Sequence, residues 1–148
     1  FENEPSEPNI TALLDPENVK WKHLVADGMD LPTKWPKKRY DSLDLIWQAH
    51  RQALNQNIMD LQKNGASDEE VKAAKADYDQ RSLARQKEVV EYLEGSGFTG
   101  KTGAYEGAGY MANGLYRSSV NCIMFTRTDY FCPVCKEAMT EVINTYVE

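Results

Sequence analysis

Between residues 41 and 94 one face of the chain is marked at spacings of three and four. Leu43, Trp47, His50, Leu54, Ile58 and Leu61 carry the first half of that pattern. An α-helix returns to the same face every 3.6 residues, so the spacing predicts an amphipathic helix with a packed histidine on its apolar side. Asn64-Gly65 ends it, with Gly65 suited to the left-handed position after a helix. Ser67-Asp68-Glu69-Glu70 then reads as a capping box, Ser67 capping the next helix and Glu70 reaching back. Val71, Ala74, Tyr78, Val89 and Tyr92 mark that second helix, with Asp68–Lys72 and Asp77–Arg81 as favourable i,i+4 pairs. Two long helices and a short turn predict an antiparallel helical hairpin.

The flanks differ in character. Over residues 1–40, Pro5, Pro8, Pro16, Pro32 and Pro36 interrupt any long helix and predict an irregular arm. Asp15-Pro16-Glu17 can open one short helix, and Trp21 and Trp35 are expected to anchor the arm on a core. Seven of the nine glycines lie between Gly95 and Gly114, so this stretch reads as a loop region of tight turns. From Pro133, Val134, Ala138, Val142 and Tyr146 predict an amphipathic C-terminal helix. The expected class is α+β, rich in helix.

Composition narrows the function. With 148 residues, 41% hydrophobic and 27% charged, the chain is long enough for one domain with a modest core and too apolar for disorder. A net charge of −6 excludes the basic stripe a nucleic-acid partner would need. No apolar run approaches the roughly 18–20 residues of a membrane span. The chain opens Phe1-Glu2-Asn3-Glu4-Pro5, with neither Met nor a signal-peptide pattern. Its start is therefore expected to be a cut, with something functional upstream.

Cys122, Cys132 and Cys135 crowd into the last 27 residues. Cys132-Pro133-Val134-Cys135 has the spacing of a thiol redox centre, but too little chain follows for the strands and helix of a thioredoxin-like fold. Two structural readings stand: Cys122 bridged to Cys132 or Cys135, or buried thiols, stapling the segment near residue 122 to the last helix; and a structural zinc site with Cys122 as third ligand and His23 or an outside residue as fourth. Gly107-Ala108-Gly109-Tyr110-Met111-Ala112 fits a dinucleotide fingerprint, yet no buried strand precedes it and no βαβ unit surrounds it. Neither His23 nor His50 has HxH or HxxxH spacing or an evident catalytic partner. Glu106 is a lone carboxylate in the glycine-rich stretch, flanked by Tyr105 and Tyr110.

Three stretches, taken together and in order, resemble the C-terminal portion of IgA-peptidase-like zinc metallopeptidases of the metzincin clan. They are the run Gly103-Ala104-Tyr105-Glu106-Gly107-Ala108-Gly109-Tyr110-Met111-Ala112-Asn113-Gly114-Leu115-Tyr116-Arg117, then Asn121-Cys122-Ile123-Met124, then Phe131-Cys132-Pro133-Val134-Cys135. Residues Glu7 to Thr11 and Val19 to Leu24 are similar to the stretch that follows the zinc motif in that family. The resemblance covers residues 5–36 and 97–146. The hairpin falls outside it and is read as an insertion.

The resemblance implies a secreted, periplasmic or cell-surface zinc metalloendopeptidase acting on a protein or peptide substrate. Met124 matches the Met-turn residue, whose thioether forms an apolar floor beneath the metal-binding imidazoles. Glu106, Tyr110, Tyr116 and Arg117 become candidates for substrate contact or for orienting the site. The family holds its zinc with HExxH and a further Asp, and this sequence contains no HExxH. The zinc helix is therefore expected upstream of Phe1 or on another chain, and these residues alone are expected to be inactive. Residues 1–148 are accordingly read as the C-terminal segment of one peptidase domain: arm 1–40, hairpin 41–94, and glycine-rich loop, Met-turn and last helix 95–148. The rival readings are a non-enzymatic interaction module built on the hairpin and a degenerate relative that binds peptides without cutting them.

Overall fold

A computed structural model describes residues 1–147. The chain is α+β and rich in helix, with three α-helices and one three-stranded antiparallel sheet among the described residues. It divides into two compact units: Lys38–Val89, and Phe1–Lys37 together with the chain from Val90 onward.

Lys38–Val89 lies within two helices, α1 (Lys37–Lys63) and α2 (Asp68–Glu94). α1 begins directly after Pro36, the last proline of the arm, a few residues ahead of the point where its periodicity becomes visible. It ends in a Schellman motif. Ala66 N–H reaches the Leu61 carbonyl at 3.0 Å and Gly65 N–H the Gln62 carbonyl at 3.3 Å, with Gly65 at φ +72°. The capping box at α2 is formed: Ser67 Oγ accepts from Glu70 N–H at 3.3 Å, and Glu70 Oε2 accepts from Ser67 N–H at 2.8 Å. On α2, Arg81 pairs with Asp77 at 2.9 Å. Arg85 lies 4.0 Å from Asp44 of α1. No side chain of α1 is fully buried, and of α2 only Leu93 is. Two helices cover only one stripe of each other, and His50, expected in that stripe, is exposed.

The other unit is built around strands β1 (Ile10–Thr11), β2 (Tyr105–Ala108) and β3 (Met111–Arg117), in the order β1-β3-β2. β2 and β3 form a hairpin joined by Gly109 and Tyr110, both at positive φ (56° and 62°). A two-residue type I′ turn needs that at both central positions, because its twist matches the strands it connects. Gly107 (φ 104°) sits at a register shift between Glu106 and Ala108. The run that fits a dinucleotide fingerprint is thus strand-turn-strand, without the helix whose N-terminus would hold a pyrophosphate.

Helix α3 (Pro133–Val147) closes the unit, with Val134 and Cys135 buried. The core is Val19, Trp21, Cys122, Cys132, Val134 and Cys135, edged by Leu13, Leu24, Val25, Leu31 and Phe131. Trp21 is almost fully buried, and its indole N–H donates to the Gly103 carbonyl at 2.7 Å. A buried tryptophan removes about 150–250 Å² from water, so this anchor supplies at most about 4–6 kcal/mol of gross stabilisation. Asp15 caps a single 3₁₀ turn (Pro16–Asn18), shorter than the helix its Asp-Pro signal suggests. Lys20 Nζ donates to the carbonyls of Glu7 (2.9 Å) and Ile10 (2.7 Å), and to that of Pro5. Thr33 pairs through its backbone N–H with the Ala104 carbonyl at 2.8 Å, and its hydroxyl accepts from Ala104 N–H at 3.0 Å. Gly103 is obligatory beside it: a Cβ there would stand 2.4 Å from Thr33 Oγ1.

Candidate functional site

Met124 lies in a tight turn. Phe125 and Thr126 N–H groups both reach the Cys122 carbonyl, at 2.8 and 2.9 Å. Asn121 Oδ1, buried, accepts from Cys122 N–H at 3.0 Å and from the Thr126 hydroxyl at 2.5 Å. Ile123 N–H donates to the Tyr130 carbonyl at 2.8 Å. The backbone of the turn is therefore fixed from several sides, while the Met124 side chain is 64% exposed and Ile123 beside it is exposed as well. A rigid turn that presents a thioether to its surroundings is a preformed apolar surface, not a core position.

Arg117 closes β3 and is buried. Its guanidinium lies 3.8 Å from the Phe125 ring centroid and 4.7 Å from that of Trp35. Nη1 donates to the carbonyls of Gly107 (2.5 Å) and Glu106 (3.3 Å). Nε and Nη2 donate to the Val120 carbonyl at 3.3 and 3.1 Å. A rigid planar fork that also stacks on aromatics suits this arrangement, and a lysine would not reproduce it. The side chain fastens the β2–β3 hairpin to the segment that carries the Met124 turn. That makes it a positioning residue rather than one that faces a substrate.

Glu106 and Tyr116 sit opposite each other across β2 and β3, and Glu106 Oε1 accepts from Gly114 N–H at 3.1 Å. Burial, and then the neighbouring Glu106 carboxylate, push the Tyr116 hydroxyl above its ordinary pKa, so it remains a neutral donor at physiological pH. Tyr105 is pushed up to about 12 by burial, offset in part by the Arg117 charge. Its hydroxyl donates to the Lys101 carbonyl at 2.9 Å. Tyr110 stands fully exposed at the hairpin tip, in a left-handed conformation that a bulky side chain rarely adopts. The candidates thus separate: Met124 and Tyr110 face outward, Glu106 and Tyr116 are half-buried partners, and Arg117 is buried. Sequence reasoning missed Phe125 and Trp35 as the two faces around Arg117; only the proximity of an aromatic to Met124 in the sequence hinted at the first.

The three cysteines converge. All are buried with free thiols, and their sulfurs lie within 4.8 Å of one another. Cys122 Sγ and Cys135 Sγ are 3.8 Å apart, and the Ser118 hydroxyl is 3.5 Å from Cys132 Sγ. His23 does not join them: its Nε2 lies 2.6 Å from Glu137 Oε1 on α3.

These residues do not fit a catalytic zinc site. The two histidines are on separate elements and exposed, and no HExxH is present. Among the described residues, the grouping of metal-capable side chains is the thiol cluster. A cleft of about 400 Å³ beside Leu24, Asp27, Met29, Lys101 and Thr102 contains none of the candidate residues. Among the described residues no helix is long and apolar enough to cross a membrane.

Against known proteins, the family model described as IgA Peptidase M64 matches residues 1–143, a span that runs through the helical hairpin as well as its flanks. No curated protein and no solved structure gives a significant match.

Proposed function

The chain belongs to the IgA peptidase M64 family, and from that membership we propose that it is the C-terminal part of a metzincin-like catalytic domain in a secreted zinc metalloendopeptidase. The observation that carries the reading is the Met124 turn. Its backbone is held by buried partners, and its thioether is left uncovered by this chain. A thioether placed under metal-bound imidazoles packs on their edges without competing for the metal. In this reading the imidazoles come from an HExxH helix outside the 148 residues, and no chemical step is assigned to residues present here.

The β2–β3 hairpin then forms part of the cleft wall, set in place by Arg117. Glu106 and Tyr116 supply polar contacts to a peptide, and Tyr110 at the tip supplies an aromatic one. The partners are the segment bearing the zinc helix and a protein or peptide substrate. The exposed apolar side chains of α3, Val142, Ile143 and Tyr146, are the surface that the rest of the domain would cover.

The test is to read the coding sequence around Phe1 and assay the full-length product. An in-frame HExxH, zinc that is lost when the histidines of that motif are replaced, and chelator-sensitive hydrolysis of a peptide library are the expected results. In that protein Met124→Lys should lower zinc content and kcat together. A full-length product without HExxH, or hydrolysis indifferent to chelator, would overturn the proposal.

A further inference from the structure

The thiol cluster has no part in the proposed peptidase chemistry, and its own chemistry stands independently of that proposal. Three cysteines with residue exposures of 3% (Cys122), 2% (Cys132) and 6% (Cys135) bring their sulfurs together where the Met124 turn meets the start of α3. Two of them, Cys122 and Cys132, are set among hydrogen-bond donors. Cys122 Sγ accepts from Cys132 N–H at 3.2 Å, and Met124 N–H is also directed at it. Cys132 stands at the N-terminus of α3, where the Cys135 N–H, the Cys122 thiol and the Ser118 hydroxyl all face its sulfur. Neutral thiols are weak acceptors and gain little from such donors, whereas a thiolate at a helix N-terminus gains from each of them.

We propose that Cys122, Cys132 and Cys135 form a structural zinc site. The spacing fits: zinc–sulfur bonds of about 2.3 Å in a tetrahedron set sulfurs about 3.8 Å apart, and Cys122 Sγ and Cys135 Sγ are 3.8 Å apart. The N–H groups aimed at the sulfurs act as the outer shell that orients and electrostatically supports thiolate ligands. The fourth position is taken by an oxygen, the Ser118 hydroxyl or a water it holds, since His23 is engaged by Glu137. Binding releases the thiol protons to solvent as the metal–sulfur bonds form. The ion ties the turn bearing Met124 to α3.

Two other uses of the cluster fit less well. Thiol–disulfide exchange with a protein substrate needs an accessible thiolate, and all three cysteines are buried. An internal disulfide would leave the third thiol unpaired among N–H donors arranged for more than one sulfur.

The experiment uses the reduced 148-residue chain, stripped of metal and titrated with Zn²⁺, and in parallel with Co²⁺. One ion per chain, thiolate-to-cobalt charge-transfer absorption, proton release on binding and a rise in Tm are expected. Cys122→Ser and Cys135→Ser should each weaken binding about tenfold or more. Because either variant can fail to fold, the slowing of maleimide labelling of the wild-type thiols by one equivalent of Zn²⁺ is measured as well, in mild urea where local opening exposes them. Absence of binding by the reduced wild type, binding unchanged in the folded variants, or thiols that stay fully reactive with zinc present would each overturn the proposal. So would a native protein isolated with two of the three cysteines joined in a disulfide.

Discussion

Replacing Arg117 isolates the fastening between hairpin and Met124 turn. Arg117→Met keeps length and apolar stem and removes the charged fork. It leaves the carbonyls of Gly107 and Val120 without the donors they now receive. A buried polar group deprived of its partner costs about 1–3 kcal/mol. The stacking on Phe125 and Trp35 adds about 0.5–2 kcal/mol per ring. Against these, removing a buried cation recovers part of its desolvation penalty. The net expectation is a loss of about 3–5 kcal/mol for Arg117→Met. For Arg117→Lys it is about 2–3 kcal/mol, since an ammonium reaches fewer acceptors and stacks poorly. Urea unfolding followed by tryptophan fluorescence measures it. In a Trp47→Phe background only Trp21 and Trp35 remain, both in the sheet-bearing unit. The midpoint should fall while the urea slope stays constant. A loss below about 1 kcal/mol for Arg117→Met would refute the assignment of Arg117 as the fastening element.

Two more outcomes are expected from the same geometry. Tyr110→Asn places a residue tolerant of the left-handed region at φ 62° and should stabilise the chain by about 0.5–1 kcal/mol in the same assay; in the full-length peptidase it should raise KM for peptide, and an unchanged KM would remove Tyr110 from the cleft. Glu4 gives a pH signature. Desolvation, the largest influence on its carboxyl, acts upward, but hydrogen bonds from the Thr11 hydroxyl and the Leu14 and Ala12 N–H groups, with the Lys20 charge, outweigh it and lower the pKa below 4.5. The stability it contributes is present above pH 4.5 and lost as pH falls through the lowered value. Stability measured from about pH 6 down to about pH 3 should therefore drop less in Glu4→Gln than in the wild type.

What could be read in advance was local. The hairpin and its caps follow from residues within five positions of one another: Gly65 through its left-handed backbone, Ser67 and Glu70 through side chains that bond nearby backbone groups. The β2–β3 hairpin was hidden because Gly109-Tyr110 is not among the usual type I′ pairs, and Gly107 and Gly114 break the alternation of the strands. Arg117 was legible as chemistry but not as direction. A guanidinium in a glycine-rich stretch suits a substrate or a set of carbonyls equally, and only the rings of Trp35 and Phe125 decide. The convergence of Cys122 on Cys132 and Cys135 was foreseeable from spacing as one of two arrangements; the N–H groups aimed at their sulfurs were not, since those depend on how the Met124 turn meets α3.

The interruption of the sheet-bearing unit by α1 and α2 has a kinetic side. The bond from Trp21 to the Gly103 carbonyl spans 82 residues of sequence. Helices of local contacts form within microseconds, before distant segments meet. Once α1 and α2 have folded back on each other, the stretch Lys38–Val89 no longer counts as slack, and the flexible path shrinks to about thirty residues. Logarithmic loop-closure entropy makes that worth about 0.9 kcal/mol, or roughly fivefold in the rate at which the ends meet. A chain with an unstructured linker of equal length in place of the two helices should refold slower by that factor in stopped-flow. The two helices thus act as a folding aid for the very contact they separate.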